Sequence, residues 1–300
     1  MTSAFTRRDI LASLLATSAS AACANAPETS PYPNPRPANA QALAAPASAR
    51  LINEAELGAS AKVGFVLADA RSGEILEAHN PVLALPPASV TKSLTAIYAL
   101  SNLGVNYRFR TKILADGAVS NGRLNGNLWL VGGGDPTLDT DHLAALARTL
   151  RNAGIREVTG QFYVQAQALP YIQYIDPSQP EHVGYNPAIS GLNLNFNRVH
   201  FEWKRASGRY NLTMDARARK YRPEVAFAKM SVVDRSVPVY TYSSKPDTDQ
   251  WTVARGALGK GGSRWLPVRK PELYAAEVFQ TLARAQGIRL PRAKVTKTAP

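Results

Sequence analysis

Cysteine is almost missing from this chain: Cys23 is the only one among 300 residues, and it lies near the amino terminus. The body of the protein therefore has no disulfide and no thiol chemistry. Histidine is nearly as scarce. His79, His142, His182 and His200 are the four present, and their spacing is not that of a metal site. The chain also lacks a Walker lysine and the dinucleotide-binding spacing, so no cofactor is expected. Acidic residues are under-represented, 22 Asp and Glu against 35 Lys and Arg, a formal net charge of +13. Such a surface attracts polyanions, whether nucleic acid, anionic lipid or anionic cell-wall polymer. No long hydrophobic run is present. The best candidate, Ile10 to Ala24, is mostly Ala, Leu, Ser and Thr, too short and too weakly apolar to span a bilayer. No internal repeat is evident.

What is there begins with a charged start, Thr6-Arg7-Arg8-Asp9-Ile10-Leu11, followed by that weakly apolar run. Residues 1–26 read as a secretory signal peptide, and the paired arginines resemble a twin-arginine export signal. A periplasmic location is expected, which makes nucleic acid an improbable partner. Ala22-Cys23-Ala24 and Ala24-Asn25-Ala26 both offer a small-residue cleavage site, with Pro27 directly after the second. Ser20-Ala21-Ala22-Cys23 resembles a lipoprotein box without its usual leucine. Two outcomes stay open: a lipidated Cys23 anchoring the mature protein to the membrane, or a cysteine discarded with the signal. Residues 27–50 carry six prolines among Ala, Ser and Asn and read as a linker.

Order is expected from Leu51. Lys62 to Asp69 and Glu74 to Ala78, joined by Arg71-Ser72-Gly73, predict a β-hairpin. Pro86-Pro87-Ala88 forbids helix up to that point, and a helix is then expected from about Ser89 to Leu103, stopped by Gly104. Arg108 to Leu114, Leu128 to Val131 and Val158 to Val164 read as strands. A helix from about Thr140 to Ala153 has Leu143, Leu146 and Leu150 on one face. Residues 192–255, including Leu192-Asn193-Leu194-Asn195-Phe196 and Val199-His200-Phe201-Glu202-Trp203, alternate apolar and polar and are expected to be mainly β. Pro271 opens a last helix through Ala285, closed by Gly287.

The chemistry concentrates at Ser89 and Lys92. A serine hydroxyl is a weak nucleophile until a base lies within hydrogen-bond reach. Positions i and i+3 share a helix face, so the Lys92 amine can approach the Ser89 hydroxyl. An amine accepts that proton only where burial or a neighbouring cation lowers its pKa. The start of a helix also offers unpaired N–H groups to the negative charge that develops in acyl transfer. The competing reading is structural: serine is a favoured N-cap and Lys92 a solvated first-turn lysine.

The surrounding sequence adds a resemblance. Residues 85–111, from Leu85-Pro86-Pro87-Ala88-Ser89-Val90-Thr91-Lys92 to Arg110-Thr111, resemble the class C penicillin-binding proteins. These are D-alanyl-D-alanine carboxypeptidases that also act as endopeptidases on peptidoglycan crosslinks. Gly126 to Leu138, with Gly134-Asp135-Pro136-Thr137, Tyr185 to Asn193, and Leu273-Tyr274-Ala275-Ala276-Glu277 resemble three further segments of that family, in the same order, so that the likeness spans roughly residues 51–295. It implies an α+β fold: the N-terminal part of a penicillin-binding-protein or serine β-lactamase-like domain with a large inserted α/β and β-rich region. Residues 51–112 would be the first part of the catalytic domain. Residues 113–268 would be the insertion, β-rich from about 192, and residues 269–300 the return to the catalytic domain. The resemblance makes Ser89 the acylated nucleophile and Lys92 its general base, with the Ser89 N–H in the oxyanion hole. The partners would be peptidoglycan stem peptides ending in D-Ala-D-Ala, and β-lactams as covalent inhibitors.

Two motifs of that family are missing from these residues. No serine has asparagine two positions later, and no Lys-Thr-Gly occurs, Lys297-Thr298-Ala299 being the nearest. The chain ends about where the first of them would follow, so weak or no activity is expected of residues 1–300 alone. Two alternatives stand beside the enzyme: a non-catalytic, basic cell-wall-binding relative, and another Ser-x-x-Lys enzyme such as a β-lactamase or esterase. The long segment between residues 112 and 270 argues against the latter. Gly132-Gly133-Gly134-Asp135 reads as a structural turn, Asp135, Asp139 and Asp141 as capping residues, and Trp203, Trp251 and Trp265 as core or rim aromatics.

Overall fold

The structure, a computed structural model, describes residues 46–300. The signal peptide, Cys23 and most of the proline-rich linker lie outside the described residues. Two compact units are present, divided between Asn102 and Leu103.

The described part of the first unit opens with helix α1 (Pro46–Glu54). It starts before the expected Leu51 because a proline is well tolerated in the first helical turn. Strands β1 (Phe65–Ala68) and β2 (Ile75–His79) form the antiparallel hairpin. Its turn is held by Asp69, whose carboxylate accepts from the Arg71 and Ser72 N–H groups, and Gly73 takes the left-handed φ of +73° that the reversal requires. A 3₁₀ turn, Ala88–Val90, leads into helix α2 (Thr91–Leu103), which ends at Gly104 with φ +79°.

In the second unit, β3 (Lys112–Ala115), β6 (Leu128–Val131), β8 (Phe162–Gln165) and β15 (Ala293–Val295) make one sheet in the order β15-β8-β6-β3. β4 (Ala118–Ser120), β5 (Arg123–Asn125) and β7 (Glu157–Val158) make a smaller one. β6, β8 and β15 run parallel and β3 antiparallel. Helix α3 (Thr140–Asn152) crosses from β6 to β8, and helix α4 (Pro271–Ala285) packs beside it. Leu143, Ala147 and Leu150 of α3 meet the apolar face of α4, and Phe279 lies against Phe162 with ring centroids 5.7 Å apart. The β-rich part holds two three-stranded sheets. One joins β9 (Arg198–Ala206), β10 (Arg209–Asp215) and β14 (Gly261–Pro267); the other joins β11 (Ala228–Val233), β12 (Tyr240–Lys245) and β13 (Thr248–Ala254).

Two expectations are corrected. Val158 to Val164 is not one strand: β7 and β8 belong to different sheets, separated at Gly160, where a Cβ would collide with the Gly126 carbonyl. Residues 192–196 are not a strand. Asn195, Phe196 and Asn197 have φ between +49° and +59°, a left-handed path that Asn tolerates better than most residues. The Asn195 amide is buried and bonds to Thr140 and to the Tyr274 hydroxyl, which outweighs the alternating pattern. Tyr274, Phe279 and Leu282 share one core with Leu130, Phe162 and Trp251.

Candidate active site

Pro86 and Pro87 keep the chain out of a helix until residue 88. Ala88 then takes φ +42°, a sparsely populated conformation for a residue with a Cβ. Such strain is invisible to sequence patterns, and it sits directly before Ser89. Ser89 lies within the 3₁₀ turn, and Lys92 follows in the first turn of α2. The Lys92 Nζ donates to Ser89 Oγ at 2.8 Å. The 3₁₀ turn is capped at Pro87, without a side-chain bond, and Ser89 is the middle residue of that turn. The serine hydroxyl and the lysine amine are thus in hydrogen-bond contact. Both side chains are exposed.

The other segments singled out by the sequence meet in the second unit. The Gly134 N–H donates to Gly191 O at 2.8 Å, and Asp135 bridges to Leu192, so the glycine-rich turn joins the Tyr185–Asn193 segment. Asp135 accepts from the Thr137 N–H and hydroxyl. Asp139 caps α3 through the His142 N–H. Asp141 accepts from the Lys220 and Tyr221 N–H groups. All three serve the backbone. Tyr274 accepts from Asn195 and donates to Arg198 O, and its burial pushes the phenol well above its usual pKa. Trp251 is a core residue, while Trp203 and Trp265 are partly buried.

Sequence reasoning missed two buried charged clusters. Arg269 is only 2% exposed; its guanidinium donates to the carbonyls of Gln173, Asn186 and Glu181 and lies 4.1 Å over the Tyr174 ring. Its own N–H donates to Asp249, whose carboxyl burial pushes upward in pKa. His200, buried beside Asp215 and Arg217, has its pKa lowered, first by burial and then by the Arg217 charge. Their partners lie far away in sequence, so no local pattern marks them.

The D-Ala-D-Ala carboxypeptidase 3 (S13) family matches residues 45–300. The chain belongs to this family. It is 34% identical over 133 residues to a D-alanyl-D-alanine carboxypeptidase of Actinomadura sp. (strain R39), an alignment covering 44% of this chain and 25% of that one. It is 31% identical over 105 residues to the D-alanyl-D-alanine carboxypeptidase DacB of Haemophilus influenzae, covering 35% and 22%. In three dimensions it resembles penicillin-binding protein 4 (dacB) of Haemophilus influenzae, with a TM-score of 0.61 at 20% identity over 84% of this chain and 56% of that one. A second structure of that protein, complexed with a β-lactam, gives 0.52 at 21% identity, over 76% and 50%. These likenesses support the α+β fold of an S13 protein. The matches span about half of the solved chains and a quarter or less of the curated relatives.

Proposed function

We propose that this S13 chain belongs to a serine-type D-alanyl-D-alanine carboxypeptidase/endopeptidase that works on peptidoglycan peptides through an acyl-enzyme. The single observation that carries the reading is the 2.8 Å contact between Lys92 Nζ and Ser89 Oγ at a helix start, in a chain of this family. Unprotonated, the Lys92 amine takes the serine proton while Oγ attacks the carbonyl carbon of the penultimate D-alanine. The C–N bond breaks, D-alanine leaves with the proton, and water hydrolyses the ester. The Ser89 N–H would meet the developing oxyanion. A β-lactam would acylate the same oxygen. Residues 1–26 would direct export to the periplasm, with Cys23 as a lipid attachment point if it is retained.

Labelling with a fluorescent penicillin tests this. Covalent label is expected on Ser89, absent in Ser89→Ala, and slowed roughly 10²- to 10⁴-fold in Lys92→Ala, the usual contribution of a general base. Release of D-alanine by residues 1–300 alone is expected to be weak or absent, since they hold neither a Ser-x-Asn nor a Lys-Thr-Gly sequence. Failure of Ser89 to take any label would favour the non-catalytic, cell-wall-binding alternative.

A further inference from the structure

The second unit contains a cationic cleft that the acyl-transfer reading does not use. It has a volume of about 570 Å³ and is lined by Arg108, Arg110, Lys112, Gln165 and Gln167 around the Gly132-Gly133 backbone. Its position follows from the sheet. Lys112, the first residue of β3, pairs with Val131, the last of β6, which pairs with Gln165, the last of β8. The cleft thus lies outside the carboxyl ends of two parallel strands, where open α/β sheets hold their ligands.

Its chemistry is one-sided. No acidic residue lines it. Arg108 is spent on the carbonyls of Val105 and Tyr107, whereas the side chains of Arg110 and Lys112 have no hydrogen bond or ion pair among the described residues. Arg108, Arg110 and Lys112 all line the cleft, so its cations come from one short stretch of chain. The glycines do not make a phosphate cradle: a Cβ at Gly133 would strike Arg110 O, and the Gly134 N–H is committed to Gly191. The close approach of backbones explains them. Gln165 and Gln167 offer donors and acceptors together, which suit peptide groups; a phosphate has no donor to match.

We propose that this cleft is a binding site for a carboxylate-bearing peptide strand of the cell wall, serving to hold the polymer. The class of polymer rests on the function proposed above. The test is co-sedimentation of the full 300-residue chain with insoluble peptidoglycan, native or with its carboxylates amidated. Arg110→Glu/Lys112→Glu is expected to weaken binding to native polymer about tenfold, as reversing two contacting charges does. Lys204→Glu/Arg209→Glu, the same charge change on the β9–β10 hairpin, is expected to change it less than about twofold. Amidated polymer should bind wild type and the cleft variant equally weakly. Equal losses in both double variants, undiminished binding after amidation, or tighter binding to inorganic polyphosphate would each overturn the proposal. The penicillin label on Ser89 keeps the two readings apart. Label retained with cleft-independent binding sinks the cleft alone, and label absent with cleft-dependent binding sinks the catalytic reading alone.

Discussion

In residues 103–300, Leu130, Phe162, Trp251 and Phe279 are almost fully withdrawn from solvent. In residues 46–102, Val90, Leu94 and Ile97, on the turn and helix that carry Ser89 and Lys92, are 72, 68 and 61% exposed, and Ala78 is the one buried apolar side chain among the described residues. The two regions thus obtain their shapes differently. The first relies on contacts between residues far apart in sequence, and its core supplies the dominant favourable term. The second relies on neighbours: paired prolines, a left-handed Ala88, an Asx turn at Asp69 and an i,i+3 contact. The Ser89–Lys92 contact itself joins residues three apart in the chain.

The sharpest way to break this contrast is a matched pair of truncations. Phe279→Ala removes a ring from between α3, α4 and β8, and should cost about 3–5 kcal/mol. Leu94→Ala, on the exposed face of α2, should stay within about 0.5 kcal/mol. Urea titrations followed by circular dichroism measure both, and a similar loss in the two variants would show that the α2 face is covered in solution.

A smaller effect is expected at Arg269. Arg269→Met leaves the carbonyls of Gln173, Glu181 and Asn186 without their donor, for a loss of about 3 kcal/mol. Arg269→Lys should recover less than half of it, because one ammonium cannot replace a fork of donors. A methionine variant as stable as wild type would mean that residues 173–186 hold their path without the guanidinium.

The smallest effect concerns pH. The folded pKa of His200 lies below its ordinary value, so the unfolded chain binds the proton more readily. Stability is therefore complete above about pH 6.5 and falls as pH drops from there toward the folded pKa. His200→Gln should flatten that slope between pH 7 and 5 in thermal melts, and an unchanged slope would assign it to other groups.

The same contrast explains what could be read from the sequence. Locally encoded features were legible. Leu143, Leu146 and Leu150, with the Asp139 cap and Gly154, give α3 nearly residue for residue; Pro271 and Gly287 bracket α4; Ser89 and Lys92 are named by their spacing. Features encoded at long range were not. Leu192 to Phe196 alternates like a strand, yet the partners that fix Asn195 are Thr140 and Tyr274. Arg269 reads as an ordinary basic residue until the carbonyls it binds are brought to it. The cationic stretch at Arg108, Arg110 and Lys112 is visible in sequence, but its meaning depends on Val131 and Gln165 arriving beside it.

The parallel pairing of β15 with β8 also sets a clock. Val164 and Val295 are partners across about 130 residues of chain, so at about 5–20 residues per second the ribosome needs on the order of 10 s to supply the strand that completes this sheet. During that interval β8 is an unprotected edge, the kind of template on which nascent chains pair wrongly.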